Sequence, residues 1–298
     1  RRQPAALSIP ASFDRPTPSQ KMPDNAPAFV PPDSARELIT RYKARLKSGG
    51  EALRTAYEAR PLTEPLLKGR SQLVDGVLLE IWKRFSLPAS AALVAVGGYG
   101  REELFPGSDV DLLFLLESPP NDELGERLTQ MISLIWDVGL EIGHSVRTVD
   151  ECIEEAGRDV TVMTNLLEAR LIGGNERLFQ RFTTSLRSHL NPGQFFKAKC
   201  LEQEQRYTRH ADTPYSLEPN CKESPGGLRD LQLIGWISRA AGFGTHWRDL
   251  ARHALITAEE ATELRELERF LQHARIRLHH PTGRREDRLL FDHQEKLA

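Results

Sequence analysis

Between residues 92 and 117 two short apolar runs, "ALVAV" and "VDLLFLLE", flank a stretch that opens on a glycine pair and closes on Asp109-Val110-Asp111. Both runs have strand length and are bounded by Gly, Pro and Ser, so they read as consecutive strands. Asp is a poor strand former, and two of them at the mouth of a buried strand need a reason. Residues i and i+2 of a strand point to the same face. Asp109 and Asp111 therefore project side by side and repel each other unless a cation lies between them. A hard divalent ion such as Mg²⁺ suits that place, because it takes carboxylate oxygens and keeps water and substrate phosphates in its other positions.

The glycines supply the other half of the chemistry. Gly97 and Gly98 end the first strand and clear side chains from the backbone N–H groups that a triphosphate would approach. "YGREEL" reads as a short helix whose N-terminus adds to anion binding. Arg101 is placed to neutralise a phosphate, and Ser108 offers one more hydrogen bond. Together these parts suit nucleotidyl transfer by two metals, one activating the attacking oxygen and one holding the leaving pyrophosphate. Glu141, on a neighbouring strand, is the candidate third carboxylate. His144 faces the apolar side of that strand and reads as a core residue. No G-x-x-x-x-G-K-[ST], G-x-G-x-x-G or H-E-x-x-H pattern occurs, which removes the P-loop, Rossmann and zincin readings.

Around this centre the chain divides. The first 32 residues are dense in Pro, Ser and Ala and read as a disordered leader. "DSARELITRYKARLKSGG" reads as a helix capped by Ser34 with Glu37 and ended by Gly49 or Gly50. A second helix is expected over 64–85, another behind an Asn121 cap, and a third strand over "LEIGHSVRTV". From about residue 150 every periodic segment looks helical. The chain of 298 residues carries 39% hydrophobic and 28% charged residues and a net charge of -2, as a globular protein does, with no basic field for nucleic acid. Its three cysteines are far apart and fit a reducing cytoplasm. No apolar stretch is long enough for a bilayer. The basic stretch "HARIRLHHPTGRREDR" includes acids and lacks aromatics; it reads as a solvated face or a contact with a further domain.

The stretch "VGGYGREELFPGSDVDLLFLL" resembles the nucleotidyltransferase signature of the DNA polymerase β-like superfamily, in the form seen in bacterial protein-PII uridylyltransferases. "YSLEPNCKESPGGLRDLQLIGWISR" is similar to the EPN-x-KE-x-PGGLRDL motif of the helical domain that follows there, and "GLEIGHSVRT" and "RLLFDHQEKLA" also resemble segments of that family, in order. The resemblance implies an α+β fold: a small nucleotidyltransferase core with a mixed sheet, followed by an all-helical domain. The expected division is a leader over 1–32, the nucleotidyltransferase domain with its N-terminal helices over 33–157, and the helical domain over 158–298.

By the same resemblance the activity is transfer of UMP from UTP to a tyrosine hydroxyl of the PII signalling protein, in the cytoplasm, with Mg²⁺ required. Asp109 and Asp111 would hold the metal. Gly97, Gly98, Arg101 and Ser108 would hold the nucleotide. Lys222 and Arg229, beside the Pro225-Gly226-Gly227 turn, would close over the triphosphate, or else would join Glu223 and Asp230 in an ion-pair cluster. Family members also carry a uridylyl-removing HD-type domain and glutamine-sensing ACT domains. Neither is seen here, and the absent initiator Met reads as a sign of a fragment. Two rivals stay open: the adenylyltransferase of glutamine synthetase, and a module that binds nucleotide without turnover.

Overall fold

Burial on both faces of one small sheet organises the molecule. The computed structural model describes residues 32–209 and 216–297. The expected leader lies outside the described residues except for Pro32, which already opens a helix. Backbone contacts separate residues 1–38 from a second unit, 39–298, and apart from the start of the first helix everything below concerns the second.

The elements run α1 (Pro32–Ala59), α2 (Thr63–Phe85), β1 (Ala91–Ala95), α3 (Gly97–Gly100), β2 (Val110–Leu116), α4 (Asp122–Asp137), β3 (Ile142–Thr148), α5 (Val149–Arg158) and α6 (Val160–Leu167). They continue with β4 (Arg170–Gly174), α7 (Glu176–His189), α8 (Pro192–Arg209), α9 (Leu228–Ala240), α10 (Trp247–Arg252), α11 (Ala258–Thr282) and α12 (Phe291–Leu297). The sheet is mixed, in the order β3-β2-β1-β4, with β2 and β3 parallel and the other two pairs antiparallel.

Both faces of β1 and β2 are covered, which is why these strands read as unbroken apolar runs rather than alternating ones. On one face Val94, Leu113 and Leu115 join Cys152, Met163, Phe182 and Trp236 in a core shared with α5, α6, α7 and α9. Leu93, Leu112, Phe114 and Leu116, pointing the other way, are equally buried. At roughly 1.5–3 kcal/mol per fully buried large side chain, these strand residues are a principal source of the unit's stability.

Three expectations are corrected. Gly49 and Gly50 do not end α1, which runs on to Ala59. A Cβ on Gly49 would stand 2.7 Å from Leu73 of α2, and one on Gly69 would stand 2.6 Å from Leu53, so these glycines let two helices approach closely. Because α1 starts at Pro32, Ser34 lies inside the helix and not at its cap. The segment past residue 150 is not all helical either. β4 pairs antiparallel with β1, so the sheet takes its last strand from beyond the 157/158 boundary. The expected α2, β1, β2, β3 and Asn121-capped α4 are present, with the Asn121 side chain accepting from Leu124 N at 3.0 Å.

Candidate active site

The glycine turn is set by two steric demands. Gly97 adopts φ +57°, the left-handed region where side chains are strained, and begins the four-residue α3 directly after β1. The helix expected from Tyr99 therefore starts two residues earlier, on the glycines themselves. A Cβ on Gly100 would overlap the carbonyl oxygen of Glu168. Tyr99 locks the turn in place: its hydroxyl donates to Asp75 of α2, which also accepts from Arg170 of β4 at 2.8 and 3.1 Å.

Asp111 is the second residue of β2 and sits opposite Gly143 of β3 in the parallel register. Its carboxylate lies between two glycines. A Cβ on Gly143 would come within 2.5 Å of Asp111 Oδ1, and one on Gly97 within 3.3 Å of Oδ2. Burial, reinforced by the neighbouring negative charge of Asp109, raises the Asp111 pKa to about 6. The Asp109 side chain is more open, at 52% exposure, and meets Arg285 at 3.9 Å. The two acids interact and line the same cavity, although Asp109 lies one residue before β2. They form an undercompensated anionic pair, and that donor chemistry fits a hard divalent cation.

A cavity of about 270 Å³ opens over this pair. Gly97, Gly98, Arg101 and Ser108 line it with Asp109, Asp111, Lys222 and Arg229. Eight of the nine residues singled out in the sequence are thereby brought together. Glu141 is the ninth. Its backbone oxygen accepts from Val110 N at 2.8 Å, and alternation puts it on the face of Gly143, but its side chain is exposed and does not line the cavity. Among the described residues no three His, Cys, Asp or Glu side chains are grouped to hold a metal.

Arg101 is less free than its position in the sequence implies. Glu103 pairs with it at 2.9 Å and Glu168 pairs with it closely; burial works against the charge, yet these two carboxylates hold its pKa above the usual range. Glu168 also accepts from Trp236 Nε1 at 2.5 Å.

The loop before α9 carries the ion-pair cluster raised as one alternative for its four charges. Asp230 accepts from Tyr207 Oη at 2.7 Å, from Gly226 N at 2.7 Å and from Arg206, while Glu223 accepts from Arg229 at 2.9 Å. Asn220 shapes the turn by accepting from Lys222 N at 3.0 Å and Glu223 N at 2.8 Å. The cluster is thus structural, and it presents Lys222 and Arg229 to the cavity. Burial, followed by repulsion from Arg275, Arg229 and Arg285, lowers the Lys222 pKa to about 8.

Residues not singled out also line the cavity: Thr161, Asn165 and Glu168 from the α6 region, Lys199 from α8, and Arg275 and Arg285. The first three recur at helical spacing along α6 and its C-cap, and that polar stripe is a legible signal. The reading of the basic stretch as a solvated face is corrected for Arg275, while Arg285 stays exposed. Arg275 is buried against Asp287 at 2.7 Å, and Arg285 reaches the Asp109 carboxylate. His144 packs edge-on against Trp136 with ring centroids 5.6 Å apart, and burial lowers its pKa.

Residues 77–170 match the family model described as a nucleotidyltransferase domain, in keeping with the sheet and this cavity. Residues 194–298 match the model described as GlnD PII-uridylyltransferase. More particularly, the chain is similar to proteins named bifunctional uridylyltransferase/uridylyl-removing enzyme. It is 58% identical to the one from Aromatoleum aromaticum over 91% of this chain and 32% of that protein. The match to the Nitrosospira multiformis enzyme is 53% over 86% of this chain and 30% of the relative. For Cupriavidus pinatubonensis it is 50% over 93% and 32%. The chain thus spans about a third of the length of the curated relatives it matches.

Proposed function

We propose that this chain transfers UMP from UTP to a tyrosine hydroxyl of a PII signalling protein. One observation carries the reading: the Asp109–Asp111 pair, the glycine turn and the cations Lys222 and Arg229 face one cavity. The tyrosyl oxygen forms a bond to the α-phosphorus, the bond from that phosphorus to the bridging oxygen of the β-phosphate breaks, pyrophosphate leaves, and the hydroxyl proton goes to solvent. Gly97 and Gly98 give the phosphates access to backbone N–H groups, with Ser108 as a further donor. Lys222 and Arg229 neutralise charge on the leaving pyrophosphate. Asp109 and Asp111 would hold Mg²⁺, which supplies charge stabilisation and nucleophile activation when bound. Glu141 is kept as the third carboxylate of the reading, reaching the site only if its exposed side chain turns inward. Arg101 acts in it through Glu168 and Glu103, as a brace for the glycine turn.

The division of roles follows the sequence: nucleotide chemistry from the segment up to about residue 157 together with β4, and closure over the phosphates from 158–298. Glutamine control, in this reading, comes from domains outside these residues. The reading places the enzyme in the cytoplasm; among the described residues no helix is long and apolar enough to cross a membrane. Binding without turnover is a second reading, favoured by the position of Glu141 outside the cavity.

Incubation with labelled UTP or ATP and either purified PII or glutamine synthetase decides among these. Label from UTP on PII is expected. Label only from ATP on glutamine synthetase, or nucleotide binding without pyrophosphate release, overturns the proposal. The Asp109→Ala/Asp111→Ala double variant is expected to lose transfer at least about 1000-fold, as removal of the charge-stabilising groups of a transfer site does, while keeping its circular dichroism spectrum.

A further inference from the structure

Much of the charge in the cleft over the aspartates is already engaged. Arg101 is held by Glu103 and Glu168, Lys199 by Glu202 at 2.6 Å, and Arg275 by Asp287 at 2.7 Å. Two uncharged groups in the same lining are not. The Thr161 hydroxyl and the Asn165 amide, both on α6, have no hydrogen-bond partner among the described residues. We propose that these two side chains bind the ribose hydroxyls of the nucleotide and make the site selective for ribonucleotides over deoxyribonucleotides. The inference rests on the nucleotidyl-transfer reading above and adds to it a determinant of sugar specificity.

Three observations carry it. The first is placement. Met163 and Leu166 of α6 are buried in the core, whereas Thr161 and Asn165 are exposed and line the cleft. They stand one turn apart, i and i+4, so their Cβ atoms are about 5–6 Å from each other. Two neighbouring hydroxyls of one sugar fit that span. The second is the acid pair. A Cβ on Gly97 would stand 3.3 Å from Asp111 Oδ2 and 3.4 Å from Asn165 Oδ1, so both oxygens border one gap beside the glycine turn. Transfer requires the α-phosphorus to lie at the acid pair, and the ribose is joined to that phosphorus through a single bridging oxygen. The part of the nucleoside nearest Asp111 is therefore the sugar, with the base farther out. The third is chemistry. Phosphate oxygens only accept, so cations and backbone N–H groups suit them. A sugar hydroxyl both donates and accepts, as do a side-chain amide and a threonine hydroxyl. Thr164 also lines the cleft, but its hydroxyl is spent on Val160 O at 2.6 Å.

The test uses the whole chain with Mg²⁺ and no acceptor protein, so that binding is read without transfer. Calorimetric titration compares UTP with 2′-deoxy-UTP, 3′-deoxy-UTP and CTP. The parent chain is expected to bind one or both deoxy analogues at least about fivefold more weakly than UTP. Asn165→Ala is expected to weaken UTP by a similar factor and to leave the deoxy analogues within about twofold, so that the sugar preference collapses. Thr161→Val keeps the shape and removes the hydroxyl, so it should lower the preference, while Thr161→Ser should retain it. Both positions are exposed, and the melting temperature of each variant checks its fold. A preference that survives both Asn165→Ala and Thr161→Val overturns the inference. So does an Asn165→Ala variant that loses UTP and its deoxy analogues equally, which would assign the amide to the metal or the phosphates. Loss of selectivity for UTP over CTP with the sugar preference intact overturns it as well and makes these residues base readers. If the parent chain binds no UTP at all, the transfer reading itself has failed; UTP bound with no sugar preference sinks this inference alone.

Discussion

Asp111 is held where its charge is least welcome. Glycines on either side leave room for its carboxylate, while burial and Asp109 push its pKa up to about 6. A raised carboxyl pKa means that the folded chain binds the proton more tightly than the unfolded one. The associated stability is present below the ordinary aspartate pKa, and it is lost as pH rises through about 6. Asp111→Asn is therefore expected to raise the melting temperature at about pH 8 by about 2 °C, on the order of 1 kcal/mol once solvent screening is allowed for. Below about pH 4 the gain disappears. On the proposed function the same variant is expected to lose transfer, so a thermal melt and an activity assay moving in opposite directions check the assignment. The acid pair was legible because Asp at a strand mouth violates local preference. Gly143 was not: nothing in "GHSVRT" says that its missing side chain makes room for a carboxylate on the next strand.

At the scale of elements, local pattern decided what could be read. β1, the glycine turn and β2 are adjacent in sequence and carry their own boundaries. β4 is five residues ending in two glycines, held by pairing with a strand far upstream, and its sequence alone has little reason to be extended. The loop into α9 shows the same limit. Its four charges were visible together, but the Arg206 and Tyr207 partners of Asp230 come from α8, across residues 210–215 that lie outside the described set. Removing Asp230 leaves the Arg206 guanidinium, only 7% exposed, without its carboxylate. Asp230→Ala is expected to cost about 3 kcal/mol, as other broken buried pairs do. Because the loop also presents Lys222 and Arg229, the nucleotide Kd should rise with it. Urea unfolding alongside nucleotide titration measures both, and a destabilised variant with unchanged affinity would separate the loop from the site.

At the scale of the whole unit, residues 275–287 brace the loop that leads into β2. The Gly107 loop before Asp109 packs on the backbone of Arg284 and Arg285, where a Cβ would meet Arg284 C at 2.8 Å. Asp287 anchors that segment: it accepts from Arg275 at 2.7 Å and His279 at 3.0 Å, and its backbone oxygen accepts from Cys221 N at 2.8 Å. One residue thus ties the glycine turn's loop, α11 and the Lys222 loop into a single frame. Burial would raise its pKa, but the His279 hydrogen bond and the Arg275 charge hold it well below the carboxylate range. For a depressed carboxyl pKa the stability is present above the unfolded value, about 3.9, and is lost as pH falls through the folded value. Asp287→Asn should therefore melt about 5 °C lower than the parent at about pH 7. The gap should narrow progressively below about pH 4, where the parent loses the same interaction. Melting curves across that range check the sign, and a gap that widened in acid would assign the frame to some other group. Because Arg285 reaches Asp109 from this frame, the variant should also weaken nucleotide binding, although its altered residue does not line the cleft.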